Sequence, residues 1–199
     1  MNFKKILSVI VVVLVVCGVG YWGLKQYATN KMKTQVSKMF DTLKAGERTE
    51  DSEQVIGEYN SDSSNDMLDS VNAFEKLEYK INKVKVANNF KEGTIDVSLT
   101  NKNMKTIIGN YMTKAIQLAF ASAFSDDVSE DEMNKQMAEY LKQQIESSEV
   151  ENITTDVEFH VEKKDGKWSV KEEDRKSLAN AVLPGFEETI NQINTSLNN

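Results

Sequence analysis

The strongest constraint on this chain is the stretch Ile6–Leu24, ILSVIVVVLVVCGVGYWGL, an apolar run with no charged side chain. As a helix it covers about 28 Å, close to the hydrocarbon thickness of a bilayer. Its valines would be poor helix formers in water, but in lipid the backbone must bond to itself, so a helix is the conformation a single span requires. Lys4 and Lys5 precede the run and no acidic residue does. The positive-inside rule then puts residues 1–5 in the cytoplasm and everything beyond Lys25 outside the membrane. Tyr21 and Trp22 fall where aromatic anchors belong at the far interface. The expectation is a single-pass cell-membrane protein with its span at 6–24, the lipid bilayer as its first partner, and an extracytoplasmic domain.

Two other readings of the stretch compete. Gly18-Val19-Gly20 has the small-x-small form of a signal-peptide cleavage site, but the apolar run continues past it through Leu24. Lipidation at Cys17 would want a small residue just before the cysteine, where Leu14-Val15-Val16-Cys17 has valine. The anchor reading makes Cys17 an apolar residue of the span.

The rest of the 199-residue chain is long enough for one domain with a real core. Lys4 and Lys5 are the only charges before Lys25, so the outer part is more acidic than the whole chain's net −7. Such a surface repels phosphate backbones, which argues against a nucleic-acid partner. Cys17 is the one cysteine, so the outer part has no disulfide and its core alone must hold it.

Periodicity divides that outer part. Met32, Val36, Met39, Phe40 and Leu43 recur at helical steps over 28–45, with Gly46 placed to end the helix. A short helix is expected at 53–59 and another from Ser61 through Leu77, burying Met67, Leu68, Val71 and Phe74. At Glu78 the period falls to two. Tyr79 and Ile81, then Val84 and Val86, alternate with polar residues across a shift at Asn82-Lys83 that implies a bulge. Thr94–Asn101 continues as the partner strand. Residues 103–124 form the most apolar helix outside the membrane, expected to pack hardest against the sheet, and 129–147 form another that starts at Ser129-Glu130-Asp131-Glu132, an acidic first turn suited to the helix dipole. Ile153–Lys163 and Trp168–Val170 make a second hairpin around Asp165-Gly166, a pair that supplies the positive φ angles of a tight turn. A helix over 172–182 follows, and residues 186–199 form a weakly amphipathic tail. The fold class is α+β: about four antiparallel strands in a curved sheet packed on helices, filling residues 28–185.

The helical start, the hairpin ending in Leu99-Thr100-Asn101 and the closing Val157–Val170 segment with its Asp165-Gly166-Lys167-Trp168 turn resemble the nuclear-transport-factor-two-like and cystatin-like superfamily. They are similar, more narrowly, to uncharacterised membrane-anchored or lipoprotein domains of Firmicutes. The resemblance implies a curved sheet wrapped on helices, sometimes with a pocket, and carries no catalytic residue over to this chain.

Candidate chemistry is sparse. His160 is the single histidine and shares strand parity with Glu158 and Glu162, so Glu-x-His-x-Glu offers a metal or acid-base site on one strand face. A solvated outer face explains the same pattern. Asp126, Asp127, Glu130, Asp131 and Glu132 lack the glycine and ligand spacing of a calcium loop and read as a helix start. Asn152-Ile153-Thr154 and Asn194-Thr195-Ser196 match the glycosylation sequon, and the bacterial source that the resemblance implies makes them chance matches. There is no Gly-rich phosphate loop and no nucleophile elbow. No catalytic residue, metal or cofactor is therefore assigned. The expected role is a non-enzymatic envelope module that binds another envelope or exported protein, or a peptide, through an apolar patch on the sheet or on the tail. The alternative is a small-ligand carrier or sensor with a pocket between sheet and long helix.

Overall fold

The computed structural model describes residues 3–56, 72–123 and 129–197, with side chains of the first helix described from Gly20 onward. Six helices and four strands occupy those residues, in the order α1 (Phe3–Lys44), α2 (Glu50–Ile56), β1 (Glu78–Val86), β2 (Glu92–Lys102), α3 (Met104–Ala123), α4 (Glu130–Glu146), β3 (Asn152–Lys164), β4 (Lys167–Val170), α5 (Glu172–Val182) and α6 (Phe186–Leu197). The strands form one antiparallel sheet in sequence order.

Strict alternation gives the sheet one dry face. Ile95, Val97 and Leu99 on β2 are fully buried, as are Phe159 and Val161 on β3 and, almost fully, Trp168 and Val170 on β4. Ile95 stands opposite Phe159, and Val97 opposite Val157. The bulge falls between Ile81 and Lys83. It lets Tyr79 and Ile81 share a face with Val84 and Val86 despite the odd spacing. Asp165 (φ 50°) and Gly166 (φ 83°) turn the second hairpin. The opposite face is polar: Asn82 Nδ2 donates to Ser98 Oγ (2.8 Å), which donates to Asp156 Oδ1 (2.6 Å), and the Thr100 and Thr154 hydroxyls meet at 2.7 Å.

Helices α1, α2 and α5 cover the dry face. Helix α1 contributes Met32, Val36, Met39, Phe40 and Leu43. Its end is a Schellman cap, in which Glu47 N–H reaches Thr42 O (3.1 Å) and Gly46 N–H reaches Leu43 O (2.9 Å), with Gly46 at φ 72°. Helix α2 opens with a reciprocal box: Thr49 N–H donates to Ser52 Oγ (2.8 Å) and Ser52 N–H to Thr49 Oγ1 (3.2 Å). The free edge of β4 is closed by two glutamines. Gln35 accepts from Trp168 N–H (3.2 Å) and Gln54 from Val170 N–H (2.9 Å), which blunts an edge that could otherwise pair with another chain.

Four sequence expectations need correction. The helix over 28–45 is not a separate element but the distal part of α1, continuous from Phe3. Residues 72–76 are turn rather than the end of a helix, the 61–71 part of that expectation lies outside the described residues, and the short helix expected at 53–59 starts earlier, at Glu50, and is described to Ile56, with 57–59 outside the described residues. The long helix α3 does not pack hardest against the sheet. Met104, Ile107 and Ile108 are buried, but Met112, Ile116 and Phe120 are exposed, because beyond its opening turns α3 has α4 and α6 as its main neighbours. The span expected at 6–24 is neither overturned nor shown: among the described residues no helix is long and apolar enough to cross a membrane. Most of the 6–24 stretch lies in the part of α1 whose side chains are not described.

Candidate functional site

His160 sits on the polar side of β3, where the short β4 has run out of residues to pair with it. The chain leaves β4 at Val170 and enters α5, and the opening of α5 replaces the missing strand. Lys171 N–H donates to His160 O (2.9 Å). Asp174 Oδ2 accepts the His160 backbone N–H (2.6 Å) and lies 2.9 Å from its ring Nδ1. The carboxylate also stands in the first turn of α5 with Glu172 and Glu173, where the helix dipole favours negative charge.

Beside this pair, Lys171 Nζ donates to Glu92 Oε1 (3.0 Å) and Asn89 Nδ2 to Glu92 Oε2 (3.1 Å). The Lys171 bond, then the Asn89 bond, hold the Glu92 carboxyl below its ordinary range, and the Glu92 bond in turn raises Lys171. His160, Lys171 and Glu92 line a shallow depression of about 370 Å³ with Lys85, Gly93 and Thr94. An imidazole held by a carboxylate is the pair a general base uses, and it needs a nucleophile or substrate proton within reach. Thr94 stands across the strand pair from His160, but the ring's described partner is Asp174 alone.

The Glu-x-His-x-Glu face does not converge. Glu158 faces Asp96 across the strands and Glu162 pairs with Lys164, while His160 turns to Asp174. Side chains two apart on a strand stand about 7 Å apart and need a common ligand to draw them together. Among the described residues no group of three His, Cys, Asp or Glu side chains could hold a metal ion. Of the acidic run 126–132, residues 126 and 127 lie outside the described residues, and Ser129 Oγ caps α4 by accepting Glu132 N–H (3.2 Å).

Two features had no sequence signal. Asn101 is fully buried and donates to Val182 O (2.9 Å) and Ala73 O (3.3 Å) while accepting Lys102 N–H (2.9 Å), so one amide ties three segments together. Lys102 is buried and caps the end of α4, donating to Ser147 O (2.7 Å) and Val150 O (2.8 Å). It forms one wall of a second depression of about 470 Å³. These are structural devices that read as strand-end polar residues in the sequence.

Beyond α1, the exposed large hydrophobic residues among those described form one stripe. Met112, Ile116 and Phe120 lie one helical turn apart on α3, with exposures of 40, 54 and 66%. The expected patches lie elsewhere in character: the outer sheet face is polar, and the tail helix α6 buries Phe186 and packs Ile190 and Ile193 against the core.

No protein-family model matches the sequence, and no curated protein matches it. Among solved structures, a presumed lipoprotein of Bacillus subtilis (YcdA) superposes with a TM-score of 0.41 at 13% identity, covering 74% of this chain and 44% of that one. The chain thus spans less than half the length of that neighbour.

Proposed function

We propose that this chain is a single-pass, membrane-anchored extracytoplasmic module that captures another envelope or exported protein, without chemistry of its own. The observation that carries it is the stripe Met112, Ile116 and Phe120. Three large apolar side chains on one helix face stay in water at a hydration cost, and such patches on soluble domains serve as interaction sites. A helix laid along α3 would bury them by the groove-and-anchor pattern of helical recognition. The anchor is supported by the sequence of residues 6–24 and by Trp22, Leu24 and Tyr27, which α1 leaves 62–69% exposed. The depressions at His160 and Lys102 are open, and they lend the carrier reading no support, since ligand sites enclose most of a ligand's surface.

The test is site-specific photocrosslinking in the cells that make the protein. Probes at Ile116 and Phe120 should give one discrete crosslinked product, and a probe at the exposed Glu139 of α4 should not. Equal labelling from all three positions, or none from any, would reject the reading.

A further inference from the structure

The turn between β1 and β2 touches α1 at an unexpected height. Tyr21 Oη donates to Asn88 Oδ1 (2.8 Å), and the Tyr21 ring meets Phe90 edge-to-face at 5.5 Å. Lys25 Nζ lies 3.5 Å from the same Asn88 oxygen. The turn is built for this contact. Asn89 Oδ1 accepts Lys91 N–H (3.0 Å) and Glu92 N–H (3.2 Å), and Phe90 is held at φ 54°, a left-handed backbone that bulky residues avoid. Tyr21 belongs to the far end of the apolar stretch, so the turn packs where the bilayer would meet water. Lys25, Lys85 and Lys91 gather around it, and for Lys85 and Lys91 no acidic partner stands among the described residues. In a chain of net charge −7 this end is locally basic.

We infer that the turn Asn88–Lys91 rests in the headgroup layer of the membrane that holds residues 6–24, with Tyr21 and Phe90 as a shared aromatic wedge and Lys25, Lys85 and Lys91 facing anionic phospholipid. This rests on the anchor reading of residues 6–24 and goes beyond it, because a span alone would leave the domain free to stand off. Aromatic rings settle at the headgroup level, and each lysine near an anionic surface adds attraction that salt screens. The acidity of the remaining surface works in the same direction: repulsion turns the other end outward.

The experiment uses the full chain with Cys17→Ala, reconstituted in vesicles and carrying an environment-sensitive dye on one introduced cysteine at Val12, Lys91 or Glu149. Glu149 lies just ahead of β3 by the distant end of β2. Spin-labelled lipids then report depth. The Val12 dye should be quenched by acyl-chain labels, the Lys91 dye by headgroup labels, and the Glu149 dye by neither. A Val12 dye that stays in water would overturn the anchor reading and this inference together. A buried Val12 dye with Lys91 behaving like Glu149 would overturn the inference alone. Mixing phosphatidylglycerol into phosphatidylcholine vesicles should raise headgroup quenching of the Lys91 dye about two-fold or more, and Lys25→Glu with Lys85→Glu should remove that gain. An unchanged signal would reject the anionic-lipid contact.

Discussion

Asp174 does two jobs with one oxygen, and they differ in weight. Its bond to the His160 backbone N–H replaces a missing strand partner, whereas its bond to the half-exposed ring competes with water. Asp174→Ala should therefore cost about 1–2 kcal/mol in urea unfolding, and His160→Ala less than about 0.5 kcal/mol. Asp174→Asn keeps an acceptor for the amide and should recover most of the loss. The reverse order, with His160 dominating, would show that the ring and not the amide is what Asp174 is there to hold. Asn101 is costlier still. Asn101→Leu should lose about 2–4 kcal/mol, since two carbonyl oxygens and one amide lose their partner in a dry site. Glu92 and Glu187 sit below their ordinary range, Glu92 through Lys171 and then Asn89, Glu187 through Lys176 and then Asn180. A depressed carboxylate stabilises the fold above its unfolded pKa and loses that contribution as pH falls through the folded one. Carboxyl NMR titration should show both protonating late, and Lys171→Met should move Glu92 back up.

At the scale of elements, α3 divides into two parts with opposite responses. Ile107→Ala should cost about 2–4 kcal/mol, because the side chain is fully buried and leaves a cavity. Ile116→Glu and Phe120→Ser should leave unfolding within about 0.5 kcal/mol of the parent while abolishing the crosslinked product. Loss of folding in either would place the stripe in the core and sink the binding proposal. Gly93 is the tight point of the sheet: a Cβ there would stand 2.6 Å from Met32 Sδ and 2.8 Å from the Lys85 carbonyl oxygen. The methionine could swing away but the carbonyl cannot, so Gly93→Ala should lower stability by about 1–3 kcal/mol. Much of this layer was legible in the residues. The bulge at Asn82, the Asp165-Gly166 turn, the helix start at Ser129 and the helix over 172–182 each carry a local chemical signature that tertiary contacts had no reason to overrule. The packing of α3 was not legible, because an apolar helix reads the same whether the sheet, a partner or nothing covers it. Nor was the link between His160 and Asp174, which depends on β4 stopping four residues into its pairing with β3.

For the molecule as a whole, the decisive feature is that α1 runs without a break from Phe3 to Lys44. At 1.5 Å per residue it is about 63 Å long, and it carries the apolar stretch at one end and the anchor points of the core at the other. A hinge between the two would have let the domain turn freely; a continuous helix makes it a lever. Inserting one alanine after Gln26 should rotate everything before it by about 100° about the helix axis relative to the sheet. Tyr21 would then swing away from Asn88 and Phe90, and the Lys91 dye should lose its headgroup quenching while unfolding of the domain stays unchanged. The same stiffness runs in the other direction. On the proposed anchor topology, a partner seated on α3 that pulls or tilts the domain would impose that torque on the membrane end of the rod, so an event outside the cell would be felt at residues 1–5 with no rearrangement inside the domain.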